Sequence, residues 1–279
     1  MISTSFEYKR VSSVEEAIQA LNDDSKLLAG GHSLIPALKL RLNQTGTLID
    51  IGQIESLQEI AIDGSDLVIG AGSTHAQIAG SQDVKQHAPL LADVAGKIGD
   101  VQVRNAGTIG GSIAHADPAA DWPAALLAAS ATVIVQGKSG GRSIAIEDFF
   151  TGIYSTDLAA GEIITAIRVP SMQTMKAAYE KFAQPASRFA LVGCAVAAEN
   201  NNGTLTRVKI AFTGLSDTPF CDQAAQQAIE GKELSDSIIA DAVSRIDDSV
   251  YVMEDHYANE EYRRHLAGVM LSRALKKLA

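Results

Sequence analysis

Cysteine is almost absent: Cys194 and Cys221 are the only two among 279 residues. An iron–sulfur cluster takes about four thiolates, and this pair has no metal-ligand spacing. Neither a cluster nor a metal site is therefore expected in this chain, and both cysteines read as reduced packing residues. Basic residues are outnumbered, 23 Lys and Arg against 33 Asp and Glu, for a net charge of −10. No lysine- or arginine-rich patch interrupts that balance, which argues against nucleic acid and anionic membrane as partners. No apolar run reaches membrane-spanning length and the N-terminus lacks the apolar run of a signal peptide, so a cytoplasmic protein is expected. Repeats and low-complexity tracts are missing as well. The familiar mononucleotide loops fail on single residues. A Gly-x-Gly-x-x-Gly run from Gly70 and Gly72 meets His75 where its third glycine belongs, and a Walker loop ending at Gly137-Lys138-Ser139 meets Thr132 in place of its first.

What is present begins with apolar content. At 46% hydrophobic residues the chain can bury a sizeable core and divide into two or three domains. The stretch Leu28-Ala29-Gly30-Gly31-His32-Ser33-Leu34-Ile35-Pro36 joins a short buried strand to a helix over Leu34–Leu42, with Pro36 in its first turn and Ser33 placed to cap it. Paired glycines at such a junction expose successive N–H groups, a nest for an anion, or they form a tight turn with no ligand. Thr108-Ile109-Gly110-Gly111-Ser112 repeats the pattern, and two such loops suit a ligand with two phosphates. The third pair, Gly140-Gly141, reads as a hairpin tip between Thr132–Gln136 and Arg142–Ile146.

Taken in order, Phe6–Tyr8 opens as a strand, and Ser13 with Glu16 forms a capping box before the apolar face of Val14, Ala17, Ile18 and Leu21. The strands Leu27–Ala29 and Thr47–Ile51 flank the first diglycine helix as a small parallel unit. Leu57–Ile62 and Asp66–Ala71 pair across Asp63-Gly64, Thr74 and Pro89 open short helices, and an alanine-rich helix runs to Ala129. Ile163–Val169 precedes a boundary at Pro170-Ser171. Beyond it, Ala178–Phe182, Leu191–Ala198 and Thr204–Thr213 predict a three-stranded antiparallel sheet, followed by helices at Cys221–Ile229, Ser235–Ile246 and Glu260–Leu278.

Several of these segments resemble one family. They are Ala29 to Pro36, Gln102 to Ser112, Ala114-His115-Ala116-Asp117-Pro118, Ala178-Tyr179-Glu180-Lys181-Phe182 and Glu261 to Leu266. Together they resemble the FAD-binding medium subunit of molybdenum hydroxylases, of the carbon monoxide dehydrogenase medium-chain type, and the resemblance covers essentially the whole chain. Ser112 departs from it, since many relatives carry Asn there, but serine still offers a hydroxyl. The resemblance implies an α+β fold with a vanillyl-alcohol-oxidase-type (PCMH-type) FAD-binding domain at residues 1–172. That domain divides into a strand–helix–strand subdomain (1–54) and a larger α/β subdomain (55–172), with a C-terminal domain at 173–279. It implies FAD held by Ala29, Gly30, Gly31, His32, Ser33, Leu34, Thr108, Ile109, Gly110, Gly111 and Ser112, with Asp117 or Asp121 reaching toward the ribose. Neither diglycine loop contains cysteine or tyrosine, so the FAD is expected to be non-covalent. It also implies partners: an iron–sulfur small subunit and a molybdenum-cofactor large subunit, in a dimer of heterotrimers. The flavin subunit then passes electrons to an external acceptor, which the sequence leaves open among quinone, oxygen and a nicotinamide nucleotide. The substrate, bound by another subunit, is equally open among carbon monoxide, an N-heterocycle and an aldehyde.

Other roles keep two readings at this stage. His32 either contacts the flavin or fills its turn. Lys181 is either a cation favouring anionic reduced flavin or a solvated side chain. Phe189 either covers the isoalloxazine or packs in the core. His115 and Trp122 read as packing residues at helix entries, and Glu260-Glu261 as a helix N-terminal charge pair. A self-contained flavin oxidoreductase of the same superfamily is the competing function, and a scaffold without flavin the third.

Overall fold

The computed structural model describes residues 2–278. Three sheets carry the fold. The first is built from β1 (Glu7–Arg10), α1 (Val14–Ala20), β2 (Ser25–Leu28), α2 (Leu34–Lys39) and β3 (Thr47–Asp50), with the strands parallel in the order β1-β3-β2. Ser13 accepts from the Glu16 N–H and Val14, Ala17 and Ile18 are buried, as the capping box and apolar face require. The helix α2 stops at Lys39, short of the expected Leu42. Arg41 takes a left-handed φ of 58° and Leu42 is 79% exposed, so the apolar spacing there does not mark a buried face.

The second sheet contains β4 (Ile60–Asp63) and β5 (Asp66–Gly70). A run of short helices follows: α3 (His75–Gly80), α4 (Gln82–His87), α5 (Pro89–Lys97), α6 (Val101–Ala106), α7 (Ile109–His115) and α8 (Trp122–Ala128). Then come β6 (Thr132–Gly137), β7 (Gly140–Ala145), α9 (Ile146–Phe149), the small ribbon β8 (Phe150–Gly152) and β9 (Ser155–Thr156), and β10 (Ile163–Val169). Its order is β4-β5-β10-β6-β7, with all neighbours antiparallel. Gly137 pairs with Gly140, which has a φ of 116°, so the third diglycine is the hairpin tip expected.

The C-terminal sheet contains β11 (Met175–Ala183), β12 (Ala190–Asn201), β13 (Thr204–Thr213) and β14 (Phe220–Cys221). The three long strands agree with expectation. The fourth is an addition, and Cys221 belongs to it rather than to the following helix, which Asp222 caps one residue later. Three helices complete the chain: α10 (Gln223–Ile229), α11 (Asp236–Ser244) and α12 (Glu260–Lys276). The strand β12 is buried on both faces and divides its side chains by the two-residue period of a strand. Cys194, Val196 and Ala198 join the core beneath α10–α12, whereas Ala195 and Ala197 join Ala211 and the alanines of α8. Small residues on both sides let α8 lie close against the sheet, so the two halves of the chain share one core across it. Among the described residues no helix is long and apolar enough to cross a membrane.

Candidate functional site

Two diglycine segments meet in space, and neighbouring backbone explains why glycine is needed. A Cβ on Gly30 would stand 2.1 Å from the Ala106 carbonyl oxygen and 2.8 Å from the Gly107 Cα, so the first loop rests directly on the chain leading into the second. A Cβ on Gly111 would lie 4.0 Å from that of Ala29. The imidazole of His32 crosses the same gap, its Nε2 donating to the Gln102 carbonyl at 3.1 Å. Gly31 supplies a left-handed φ of 73° that L residues rarely adopt.

Despite their similar sequences the segments are built differently. The first is a strand-to-helix loop. The backbone N–H groups of Gly30, Gly31, His32, Ser33 and Leu34 find no acceptor among the described residues, while Gly31 and Ser33 already give their carbonyls to Ile35 and Ala37. Ser33 itself is helical (φ −101°, ψ −49°) and makes no capping bond, which corrects the expected cap. The second segment is the first turn of α7, capped by the Thr108 hydroxyl, which accepts from Gly111 N–H at 3.1 Å. Ile109 donates to Ser73, Gly110 to Ala71 and Ser112 to Thr108. Its N–H groups are therefore committed, and the expectation of a second open nest is corrected: this segment offers the exposed face of Gly111 and the Ser112 hydroxyl instead. Gly110 is buried, and a Cβ there would meet that of Ala71 at 2.5 Å.

An array of unpartnered N–H groups without a neighbouring cation is suited to a diffuse anion such as a pyrophosphate. The one basic side chain in the second region, Arg104, is spent on the Ile98 and Gly99 carbonyls. The residues present thus fit the phosphate portion of FAD. Ala29 and Leu34 flank the donors, half-buried.

The segment after α7 is sewn to the C-terminal sheet. Gly214 N–H donates to Pro118, Ala190 N–H to Ala119, and the Thr213 hydroxyl lies within 2.9 Å of the Pro118 and 2.7 Å of the Ala120 carbonyl. Asp117, on this segment, is half-exposed. One of its oxygens accepts from Ala119 N–H and the other faces the Tyr154 hydroxyl at 3.5 Å.

Asp121 is placed differently, 4% exposed at the start of α8. Tyr179 donates to it at 2.5 Å and Lys181 at 2.9 Å. Burial pushes its carboxyl up from the usual range, with the Lys181 ammonium and the Tyr179 hydroxyl pulling against that shift. Gly193, opposite Lys181 in the sheet, clears the way, since a Cβ there would stand 2.4 Å from the Tyr179 hydroxyl. Lys181 also donates to the Arg188 carbonyl at 2.7 Å. The structure therefore gives Asp121 and Lys181 to each other. Lys181, its side chain 8% exposed, is therefore not the solvated lysine of one of its two readings, and the pairing gives Asp121 a role in the fold beside the ribose contact that the resemblance implies.

His75 stands where a glycine fingerprint from Gly70 and Gly72 would need its third glycine, and its sequence neighbours assign it no site role. It is 4% exposed at the start of α3, beneath the second segment. Its backbone N–H donates to Gly107, its ring stands where a Gly107 Cβ would fall (2.8 Å from Nε2), and its Nδ1 accepts from Trp122 Nε1 at 3.1 Å. The only signal for it was the capping pair Thr74 and Gln77, which locates the helix start without revealing what the ring touches. Phe189 is 42% exposed, so it is not a core residue, and His115 packs on Tyr154 with ring centroids 5.0 Å apart.

Comparison with known proteins agrees with this architecture. Residues 4–172 match the family described as the FAD binding domain in molybdopterin dehydrogenase, and residues 177–278 the CO dehydrogenase flavoprotein C-terminal domain. The chain is 36% identical to the glyceraldehyde dehydrogenase medium chain of Sulfolobus acidocaldarius, over 100% of both chains. It is 38% identical to the carbon monoxide dehydrogenase medium chain of Hydrogenophaga pseudoflava, over 99% of this chain and 97% of that one. A solved structure of carbon monoxide dehydrogenase from Hydrogenophaga pseudoflava, lacking the Mo-pyranopterin moiety of its cofactor, superposes with a TM-score of 0.96 at 39% identity, covering 100% of this chain and 98% of that one. Matched in both halves and along its whole length, the chain belongs to the family of FAD-binding medium subunits of molybdenum hydroxylases.

Proposed function

We propose that this chain holds FAD without a covalent bond and connects the iron–sulfur clusters of a partner subunit to an external electron acceptor. The observation that carries the reading is the run of unpartnered N–H groups from Gly30 to Leu34, in a loop that rests on Ala106 and Gly107 just ahead of the first turn of α7. In this arrangement Ala29 to Leu34 cradle the pyrophosphate. Thr108 to Ser112 form the opposite wall, with Thr108, Ile109 and the buried Gly110 holding its shape and Gly111 and Ser112 permitting close approach. Asp117 is the carboxylate for the ribose. Asp121 and Lys181 act through the fold, by fixing the 117–121 segment and the turn at Arg188.

When bound, FAD supplies the conversion between single-electron and two-electron transfer, and the chain's own task is to position and tune it. Among the described residues no group of three or more His, Cys, Asp or Glu is placed to hold a metal. The assembly we propose is a dimer of heterotrimers in the cytoplasm. Each heterotrimer contains an iron–sulfur small subunit, a molybdenum-cofactor large subunit and this chain, with its FAD-binding domain at 1–172 and its C-terminal domain at 173–279.

Covalent attachment is disfavoured by chemistry. Neither diglycine segment contains cysteine or tyrosine, and His32 gives its Nε2 to Gln102. The test is purification of the chain with its partners, followed by absorbance in the flavin region and acid precipitation. Flavin found in the supernatant, with both partner subunits in the preparation, supports the reading. Flavin in the pellet refutes the non-covalent assignment. Full substrate oxidation by the isolated chain favours a self-contained oxidoreductase.

A further inference from the structure

We propose that His75 is a positioning residue for the cofactor cradle: its neutral imidazole, locked by Trp122, holds Gly107 in place beneath Gly30 and thereby sets the spacing of the two diglycine segments. This rests on the FAD reading above and adds to it a residue outside both loops.

Three contacts converge on His75. Its backbone N–H fixes the Gly107 carbonyl, and its ring occupies the side of Gly107 that a Cβ would need. Its Nδ1 accepts the indole N–H of Trp122, the residue after Asp121. Gly107 in turn is what Gly30 leans on, with the Ala106 carbonyl beside it. Movement of His75 would therefore move the floor on which the donor loop rests. It would also loosen the start of α8, where the 117–121 segment ends.

The bond to Trp122 dictates the protonation state. An indole N–H only donates, so Nδ1 must be a lone pair and the proton resides on Nε2. Burial lowers the imidazole pKa to about 4, with the facing charges of His32 and Arg104 acting in the same direction. The ring is thus an uncharged acceptor at neutral pH. A protonated ring would set two donors against each other.

The test exploits the chain's single tryptophan, whose emission reports on the contact directly. The full chain is titrated with FAD alongside His75→Asn, His75→Leu and Trp122→Phe. Asparagine at 75 keeps a carbonyl acceptor close to the Nδ1 position, and leucine removes it. Loss of one buried hydrogen bond predicts FAD affinity weakened about tenfold to a hundredfold in His75→Leu. His75→Asn is expected within about threefold of the parent, because the acceptor is kept. Tryptophan emission should shift in His75→Leu and stay near the parent in His75→Asn. Circular dichroism establishes that each variant is folded. Where His75→Leu fails to fold, Trp122→Phe, which removes the donor and keeps an aromatic body, must weaken FAD in its place. Equal affinity for His75→Leu and the parent, or equal loss in the asparagine and leucine variants, overturns the inference. Failure of the parent chain itself to bind FAD refutes the cofactor reading instead.

Discussion

Replacing Lys181 by methionine leaves the Asp121 carboxylate buried without its cation, and the structure indicates how large the effect should be. The two side chains are 8% and 4% exposed, so solvent screens neither. Removing one member of such a pair costs about 3–5 kcal/mol, chiefly through the charge left behind. In a domain of this size that corresponds to a drop of roughly 6–20 °C in melting temperature. The Tyr179 hydroxyl still bonds Asp121 and does not replace the lost charge. In the double variant Lys181→Met/Asp121→Asn neither position carries a charge, and asparagine still accepts from Tyr179. Most of the loss should then return, short of the bond that Lys181 makes to the Arg188 carbonyl. The sign of the pH dependence follows from the carboxyl. Without Lys181 its pKa rises further, so the folded state binds a proton that the unfolded state has released. The Lys181→Met deficit therefore grows as pH rises above the carboxylate range and shrinks as pH falls. Thermal and denaturant melts of the two single variants and the double variant complete the cycle. A Lys181→Met penalty below about 1 kcal/mol, the value of an exposed pair, or a double variant no more stable than Lys181→Met, would refute the reasoning.

Gly30→Ala should abolish FAD retention, because its Cβ would stand 2.1 Å from the Ala106 oxygen and push the loops apart. Gly31→Ala should cost about 1–3 kcal/mol in backbone strain. Gly64→Ala, also at positive φ but with nothing within 4 Å, should carry similar strain and leave FAD binding intact; FAD titration of the three variants separates these effects. His75 should make the folded state acid-sensitive. Its pKa is lowered from 6.5 to about 4, so as pH falls through that window the unfolded state takes up the proton first and stability drops by about 1.4 kcal/mol per pH unit. A parent-minus-His75→Asn difference in melting that is flat between pH 4 and 6.5 would contradict the buried neutral imidazole.

Local chemistry was legible in the chain and long-range chemistry was not. The Ser13 cap and the hairpin at Gly140 follow from residues within a few positions of one another, where propensity and turn geometry decide, whereas the parallel unit around Gly30 follows from its strand–helix–strand order, Ser25 pairing with the distant Thr47. The apolar run Leu191–Ala198 announced a strand, and the structure extends it to Ala190–Asn201 and covers it on both faces. Ser33 misled because a hydroxyl at a helix start caps only when its own backbone is extended, and here it is helical. The second diglycine misled because Ser73 and Ala71, distant in the chain, take up its N–H groups. Asp121 and Lys181 stand 60 positions apart, and His75 and Trp122 47, so only the packed sheet and helices bring them into contact. A charged residue in a family segment can serve the fold as well as a ligand, and only the packed structure reveals that Asp121 and Lys181 pair with each other.

The central claim, that this chain positions a flavin which relays electrons and does not act on the substrate, is tested most directly in the assembled enzyme. FAD is removed, substrate is added without an acceptor, and the iron–sulfur centres of the partner subunit are followed by their absorbance and paramagnetic resonance. The centres are predicted to become reduced as in the intact enzyme, while steady-state turnover with the external acceptor stops until FAD is restored. Iron–sulfur centres that stay oxidised in the deflavinated complex on mixing with substrate would contradict the account and place substrate oxidation at the flavin.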